Sequence, residues 1–164
     1  MSLFPIFMPD TAALTWRHHR LYITTNNGHA NLLMMEFEIY VGTTAYPTSN
    51  MTAADAPSPL VATTTGTGSV GDAHWGVFTG NTGATNRWYL RSAGFPVSVA
   101  VDLGDGNGIT PTSWKVQGPN GSNPSMAPKD FLLQVSNDDT NWTTLKTVTG
   151  QTSWSNEQVR TFTL

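Results

Sequence analysis

The sequence APKDFLLQVSNDDTNWTTL, residues 127–145, decides the fold that this chain is expected to adopt. Within it, Phe131, Leu133 and Val135 occur at every second position. Successive side chains of a β-strand point to opposite faces of its sheet, so this spacing places the three apolar residues on one face. The stretch therefore predicts a strand with one buried face.

Alternating apolar residues recur elsewhere along the chain. They indicate further strands at residues 20–24, 35–41, 97–103, 114–116 and 162–164. Residue types that tolerate positive φ separate these runs at positions 26–28, 105–108 and 120–121. No stretch combines helical periodicity with caps, so the many short strands predict an all-β sandwich or barrel.

The segment from Thr43 to Gly71 is rich in Thr, Ala, Ser, Pro and Gly. It predicts mostly loop, with at most one or two weak strands. Residues 66–71 have the spacing G-x-G-x-x-G, but a nucleotide site needs a strand before this motif and a helix after it. We therefore expect a flexible loop at this position and no nucleotide site.

Composition excludes several classes of function. Only 12% of the residues are charged and the formal net charge is −3, with eight scattered Lys and Arg residues. Phosphate backbones need clustered basic residues, so nucleic acid is not the expected partner. The chain has no cysteine, which excludes disulfides, zinc fingers and a cysteine nucleophile. No apolar run reaches the ~18 residues of a membrane span, and the start lacks the basic region of a signal peptide.

Three motifs in the second part of the chain belong together. Residues 127–145 are similar to the pattern P-K-D-F-x-L-Q-x-S-N-D-x-x-N-W-x-x-L. Residues 77–81, followed by Trp88, resemble A-F-D-G-N…T-x-W, and residues 95–104 resemble P-x-x-x-x-x-D-F-G. All three patterns are those of the discoidin family, or coagulation factor V/VIII C-type domain, which includes many bacterial and phage carbohydrate-binding modules. The resemblance covers residues 73–164 and implies a jelly-roll β-sandwich of the galactose-binding type.

The last two strands of the family stand at the front of this chain. After the R-T-F-T-L strand the family has a segment similar to Y-R-L-x-I-T-x-N-N-G…A-E-F-E-L-Y, but here that segment matches residues 16–28 and 35–40. We interpret the order as a circular permutation, which the close termini of compact domains make tolerable. Two alternatives are a fragment of a tandem array and a domain swap in which residues 16–41 complete a neighbouring copy. We assign residues 1–14 to an N-terminal arm and residues 15–164 to one domain.

The resemblance also implies a structural calcium site. Many family members bind Ca²⁺ near the D-G-N…T-x-W loop with a glutamate from the last strand, and Glu36 matches that glutamate. The family aspartate is Thr79 here and its threonine is Asn86, so the expected ligands are Glu36, Thr79, Asn81 and Asn86. Calcium prefers six to eight oxygens with carboxylates among them, and one carboxylate is lost here. The alternative is a loop held by hydrogen bonds from Thr79, Asn81 and Asn86.

A sugar site would combine an aromatic face with hydrogen-bonding side chains. The candidate ligand-binding residues lie in and beside one set of loops: His74, Trp75, Asn86, Arg87 and Arg91. Exposed aromatic residues also mark protein interfaces or plain packing, so all three interpretations stay open.

No catalytic residue is expected. The adjacent His18 and His19 point to opposite sides of a strand, and no spacing supplies either with a partner. Glu36 and Glu38 would lie about 7 Å apart on one strand face, a separation similar to that of the two catalytic carboxyl groups of a glycosidase. The family carries this motif without hydrolytic activity, so we expect a protein that is not an enzyme.

Two functions remain at this point. One is a carbohydrate-binding module of a phage-type virion protein that recognises a cell-surface glycan. The other is a structural virion subunit, a decoration or tail component, in which the lectin-like fold mediates assembly. Residues 2–8 contain Leu3, Phe4, Ile6, Phe7 and Met8, which would expose a large apolar surface in water. We therefore expect the arm to contact another subunit and the chain to form a homo-oligomer. The expected location is the virion, or otherwise the outside of the cell.

Overall fold

The computed structural model describes residues 14–80, 86–121 and 123–164 and consists mainly of two antiparallel sheets. The strands, in chain order, are β1 (His18–Asn26), β2 (Leu32–Met34), β3 (Glu36–Val41), β4 (Thr44–Tyr46), β5 (Val61–Asp72), β6 (Trp88–Asp102), β7 (Ser113–Gln117), β8 (Pro128–Ser136), β9 (Thr143–Val148) and β10 (Val159–Thr163). Two short 3₁₀ helices cover His74–Phe78 and Pro124–Met126. In the described part of the chain, no helix is long and apolar enough to cross a membrane.

The first sheet is organised around β1. Its order is β2-β6-β1-β8-β9, and β5 pairs with β6 at the edge. Leu21 of β1 lies opposite Val99 of β6 on one side and Leu133 of β8 on the other. All three side chains are buried, as the alternating pattern of these strands predicts.

The second sheet has the order β10-β7-β3-β4. Trp114 of β7 lies opposite Ile39 of β3 and Phe162 of β10, and all three side chains are buried. The rings of Phe131 in the first sheet and Phe162 in the second meet edge to face, with centroids 5.2 Å apart. The core therefore lies between the two sheets, and the all-β sandwich expected from the sequence is confirmed.

The segment from Thr43 to Gly71 contains more strand than its composition predicts. β5 is 12 residues long and pairs with β6, so the prediction of a flexible loop at residues 66–71 is wrong. Most β5 side chains are exposed, which removes the apolar alternation that marks the other strands. Its glycines allow close approach: a Cβ on Gly66 would lie 2.4 Å from Cγ1 of Val97, and one on Gly71 would lie 2.4 Å from Cδ1 of Tyr89.

Both ends of the described chain lie beside the same short segment. The Thr110 hydroxyl donates to the Leu14 carbonyl oxygen at 2.6 Å, and the Leu164 N–H donates to the Thr112 carbonyl oxygen at 3.0 Å. Such proximity is what a permuted order requires. The permutation and the domain boundary at residue 15 stay predictions, and residues 1–13 of the predicted arm lie outside the described residues.

His19 is the buried titratable base of β1. Its Nε2 lies 2.9 Å from the Trp16 carbonyl oxygen, and its ring meets that of Trp114 at 5.9 Å. A carbonyl oxygen can only accept a hydrogen bond, so Nε2 carries a hydrogen. Burial lowers the pKa of His19 to about 4, because the charged ring would lose its hydration.

This lowered pKa makes the stability of the fold depend on pH. The unfolded chain protonates His19 below about pH 6.5, whereas the folded chain does so only near pH 4. The contribution of neutral His19 to the free energy of unfolding is fully present above pH 6.5. It falls by up to about 3 kcal/mol as the pH drops towards 4. We expect His19→Gln to show a smaller loss than the original chain in urea unfolding measured across this window. Equal losses in both proteins would assign the acid sensitivity to other groups.

A substitution at Phe131 tests which face of β8 is buried in the core. Phe131 is 1% exposed and contacts the ring of Phe162 across the core. We expect Phe131→Ala to lower the free energy of unfolding by about 3–5 kcal/mol, the usual cost of truncating a buried phenylalanine. Urea unfolding measures the loss, with the exposed Thr147→Ala on neighbouring β9 as the control. A loss below about 1 kcal/mol would contradict the buried face of β8.

Candidate functional site

The structure separates the predicted sugar-binding residues into three places. The ring of His74 donates from Nε2 to the Ala62 carbonyl oxygen at 3.0 Å, so it ties the 3₁₀ helix to β5. Trp75 and Asn86 line a depression of about 370 Å³. Arg87 and Arg91 lie next to Tyr89. The binding role of these five residues stays a prediction.

A polar group around Tyr89 occupies the end of the sandwich where β6 begins. We call it the Tyr89 cluster, and its members are Asn31, Asp72, Arg87, Tyr89, Arg91 and Asn120. β5 supplies the aspartate at its last residue, β6 supplies Tyr89 and Arg91 near its start, and Arg87 directly precedes β6. The pairing of β5 with β6 places Asp72 opposite Tyr89, which brings the aspartate within reach of Arg87.

Arg87 is held at two points of its guanidinium group. Nε donates to Oδ2 of Asp72 at 2.6 Å, and one terminal nitrogen donates to Oδ1 of Asn120 at 3.1 Å. The Arg87 and Asp72 side chains are each 27% exposed, so the pair remains accessible to a ligand. Charge-assisted hydrogen bonds of this kind fix the plane of the guanidinium before any ligand arrives.

Tyr89 is flanked on several sides. The guanidinium carbons of Arg87 and Arg91 lie 5.8 Å and 5.1 Å from its ring centroid. Its hydroxyl accepts a hydrogen bond from Nδ2 of Asn31 at 2.9 Å, and Oδ1 of Asn31 accepts from the Ser92 N–H at 3.0 Å. The glycine at position 71 leaves room for the ring. The aromatic ring and its amide partner are therefore both fixed in place.

Sequence analysis identified only the two arginines of this cluster. Asn31, Asp72 and Asn120 were missed because they come from three separate chain segments, and Tyr89 was missed although it lies between the two arginines. The signal that could have found Tyr89 is the W-Y-L-R sequence at residues 88–91, where Tyr89 and Arg91 share one strand face. Asp72 depends on β5, which composition had assigned to a loop.

Comparison with known proteins gives one family. Residues 77–164, more than half of the chain, match the family model of the NedA-like, galactose-binding domain. The chain belongs to this family. The match confirms the resemblance to the factor V/VIII C-type domain that the motifs indicated. Neither the curated proteins nor the solved structures compared with the chain gave a match.

The matched region contains β6 to β10, together with Arg87, Tyr89, Arg91 and Asn120. Asn31 and Asp72 are contributed by the part of the chain before the match. Galactose-binding domains of this kind are typically non-catalytic binding modules. The affiliation indicates carbohydrate binding as the coarse function of the chain.

The residues expected to bind calcium are brought together only in part. The Thr79 hydroxyl lies 3.1 Å from Oε1 of Glu36 and 3.2 Å from the Gly76 carbonyl oxygen. Asn86 faces the Trp75 depression, which Thr79 also lines, and Asn81 lies outside the described residues. Within residues 14–80, 86–121 and 123–164, no group of three acidic or histidine side chains could hold a metal ion.

These residues alone do not fit calcium. Glu36 is the one carboxylate among the four expected ligands, and the Thr79 hydroxyl lies at one of its oxygens. A hydroxyl in that position satisfies a buried carboxylate by hydrogen bonding, whereas calcium wants additional charged oxygens. This arrangement favours the alternative of a loop held by hydrogen bonds, and the calcium site stays a prediction.

Glu36 and Glu38 lie on the outer face of β3 and line one depression with Lys115 and Gln117. Glu38 accepts a hydrogen bond from the Tyr40 hydroxyl at 3.0 Å, and Nζ of Lys115 lies 4.1 Å from the Tyr40 ring centroid. Tyr40 and the Glu38 carboxylate hold the pKa of Lys115 above its ordinary value. Both carboxylates therefore take part in local contacts that explain their presence without catalysis.

Thr79→Asp tests the calcium interpretation. The variant restores the aspartate of the family but places a second carboxylate beside the buried Glu36. We expect it to unfold at a lower temperature than the original chain without calcium, because like charges repel. Added calcium should raise its melting temperature and leave that of the original chain unchanged. A calcium-dependent increase in the original chain, reversed by a chelator, would restore the predicted calcium site.

Proposed function

We propose that the chain is a non-catalytic module that recognises a galactose-containing carbohydrate through the Tyr89 cluster. The observation that carries the proposal is the arrangement of two guanidinium groups and an amide around one tyrosine ring at the end of the sandwich. A cluster built from an aromatic surface and planar hydrogen-bonding groups suits a sugar ring, which has an apolar C–H face and hydroxyls at its edge.

Fixed side chains favour the binding of a weakly held ligand such as a sugar. Arg87 is already oriented by Asp72 and Asn120, and Asn31 is held by the Ser92 N–H. Ordering a long side chain on binding costs roughly 0.5–1.5 kcal/mol, and the existing contacts reduce that cost. Neighbouring sugar hydroxyls can then accept from the guanidinium and amide N–H groups and donate to Asp72.

Tyr89→Ala is the direct test. We expect it to weaken binding of a galactose-terminated oligosaccharide by at least about tenfold, because a central aromatic side chain often supplies most of the contact energy. Isothermal titration calorimetry measures the affinity, and circular dichroism checks the fold. Gly71→Ala should weaken binding too, because the new Cβ would displace the Tyr89 ring. Thr147→Ala is the matched surface control.

Trp75→Ala distinguishes two candidate binding sites, the Tyr89 cluster and the depression lined by Trp75 and Asn86. Unchanged affinity in this variant, with a loss in Tyr89→Ala, supports the Tyr89 cluster. The opposite result would move the site to the depression lined by Trp75 and Asn86. Retained affinity in both variants, or no binding by the original chain, would overturn the proposal.

A second candidate is a structural subunit of a phage-type virion. It is favoured by the apolar sequence of residues 2–8 and by Leu14, which is 72% exposed. Light scattering on the full chain and on a chain without residues 2–8 distinguishes the candidates. Assembly that depends on residues 2–8, together with no carbohydrate binding, would favour the structural role.

A further inference from the structure

A second candidate cleft lies away from the Tyr89 cluster and shares none of its residues. It has a volume of about 410 Å³, within the range of roughly 300–1,000 Å³ of small-molecule sites. One side is the segment that follows β4, and the other is the turn that follows β6. β6 begins at the Tyr89 cluster and ends one residue before Leu103 of the cleft, so the two places lie at opposite ends of this strand.

The cleft has an apolar floor. Leu60, Leu103 and Ile109 line it, and each is less than one tenth exposed. Tyr46 forms a wall and packs at the same time against the hydrophobic core, which fixes the position of its ring. Prolines complete the lining beside Tyr46 and Leu60. A ligand with one apolar face can therefore lie against this surface.

Free polar groups surround this floor. Ser49, Ser58 and Asn107 are exposed and line the opening. Nδ2 of Asn107 donates to the Leu103 carbonyl oxygen at 3.0 Å, which leaves its Oδ1 available as an acceptor. Among the described residues, neither serine hydroxyl has a protein partner. These donors and acceptors are free to bind the hydroxyl groups of a ligand.

Among the residues that the structure describes, no charged side chain lines the cleft. Asp105, the nearest charged residue of the turn after β6, is paired with Arg17. A charged ligand entering the cleft would lose hydration without gaining an ion pair, so the lining selects a neutral ligand. An apolar floor with a rim of hydroxyl and amide groups matches a neutral sugar ring.

We propose that this cleft is a second carbohydrate site, which binds one neutral monosaccharide unit. The choice of sugar rests on the proposed function, but the cleft itself does not involve any residue of the Tyr89 cluster. Two sites at opposite ends of β6 would let a single molecule bridge two glycans. Linking two weak sites increases overall affinity without any new contact.

The test compares galactose with galacturonate by amide chemical shifts of the full chain. Galactose should shift the amides of Ser49, Ser58 and Gly108, with a dissociation constant on the order of 1 mM. Galacturonate has the same ring with a carboxylate and should shift them at least about tenfold more weakly. Ser49→Trp, which fills the opening from an exposed position, should abolish these shifts, and Thr147→Trp should not. Ser58→Ala should weaken them while leaving the fold unchanged.

The variants keep the two sites distinguishable. Tyr89→Ala should leave the cleft shifts intact, even if the Tyr89 cluster proves to bind nothing. Equal binding of galacturonate, or shifts that persist in Ser49→Trp, would overturn the cleft proposal. So would binding that appears only after residues 2–8 are deleted, because the N-terminal segment would then be the occupant.

Discussion

The fold depends on the position of β1 between β6 and β8. In the described sheet β6 and β8 do not pair with each other, and both form backbone hydrogen bonds with β1. Removing β1 would leave two open edges and a gap in the core where Leu21 and Ile23 are fully buried. Unpaired edges and lost burial are both costly, so residues before the family match are required to complete the sheet.

β6 belongs both to the sheet that β1 completes and to the Tyr89 cluster. Its second half pairs with β1 inside the sheet, and its first half carries Tyr89 and Arg91 of the cluster, with Arg87 directly before it. Between the halves the strand is irregular, with Ser92 at a φ of 50° and shifts in the register with β5. Irregular pairing often re-aims side chains near binding sites, and here it separates a buried segment from an exposed one.

The sequence allowed some elements to be predicted and concealed others for physical reasons. β1, β3 and β8 each place their apolar residues mainly on the face towards the core, so these residues alternate and both sheets could be anticipated. β5 buries almost nothing, and its Thr and Gly residues therefore carried no periodic signal. The Arg87–Asp72 contact joins residues 15 positions apart and exists only because β5 pairs with β6. A site that depends on an unpredicted pairing could not be assembled from the sequence.

The two candidate sites differ in how their polar groups are arranged. In the Tyr89 cluster the groups already bond to one another, so a ligand must replace or share those contacts but meets a fixed geometry. In the cleft the groups are free and hydrated, and a ligand gains new hydrogen bonds only by displacing water. Fixed geometry favours discrimination between sugars, since a misplaced hydroxyl leaves a partner unsatisfied. Free, exposed groups tolerate variation because water can replace a missing contact. The cluster should therefore be the more selective of the two, and the cleft should accept a wider range of neutral sugars.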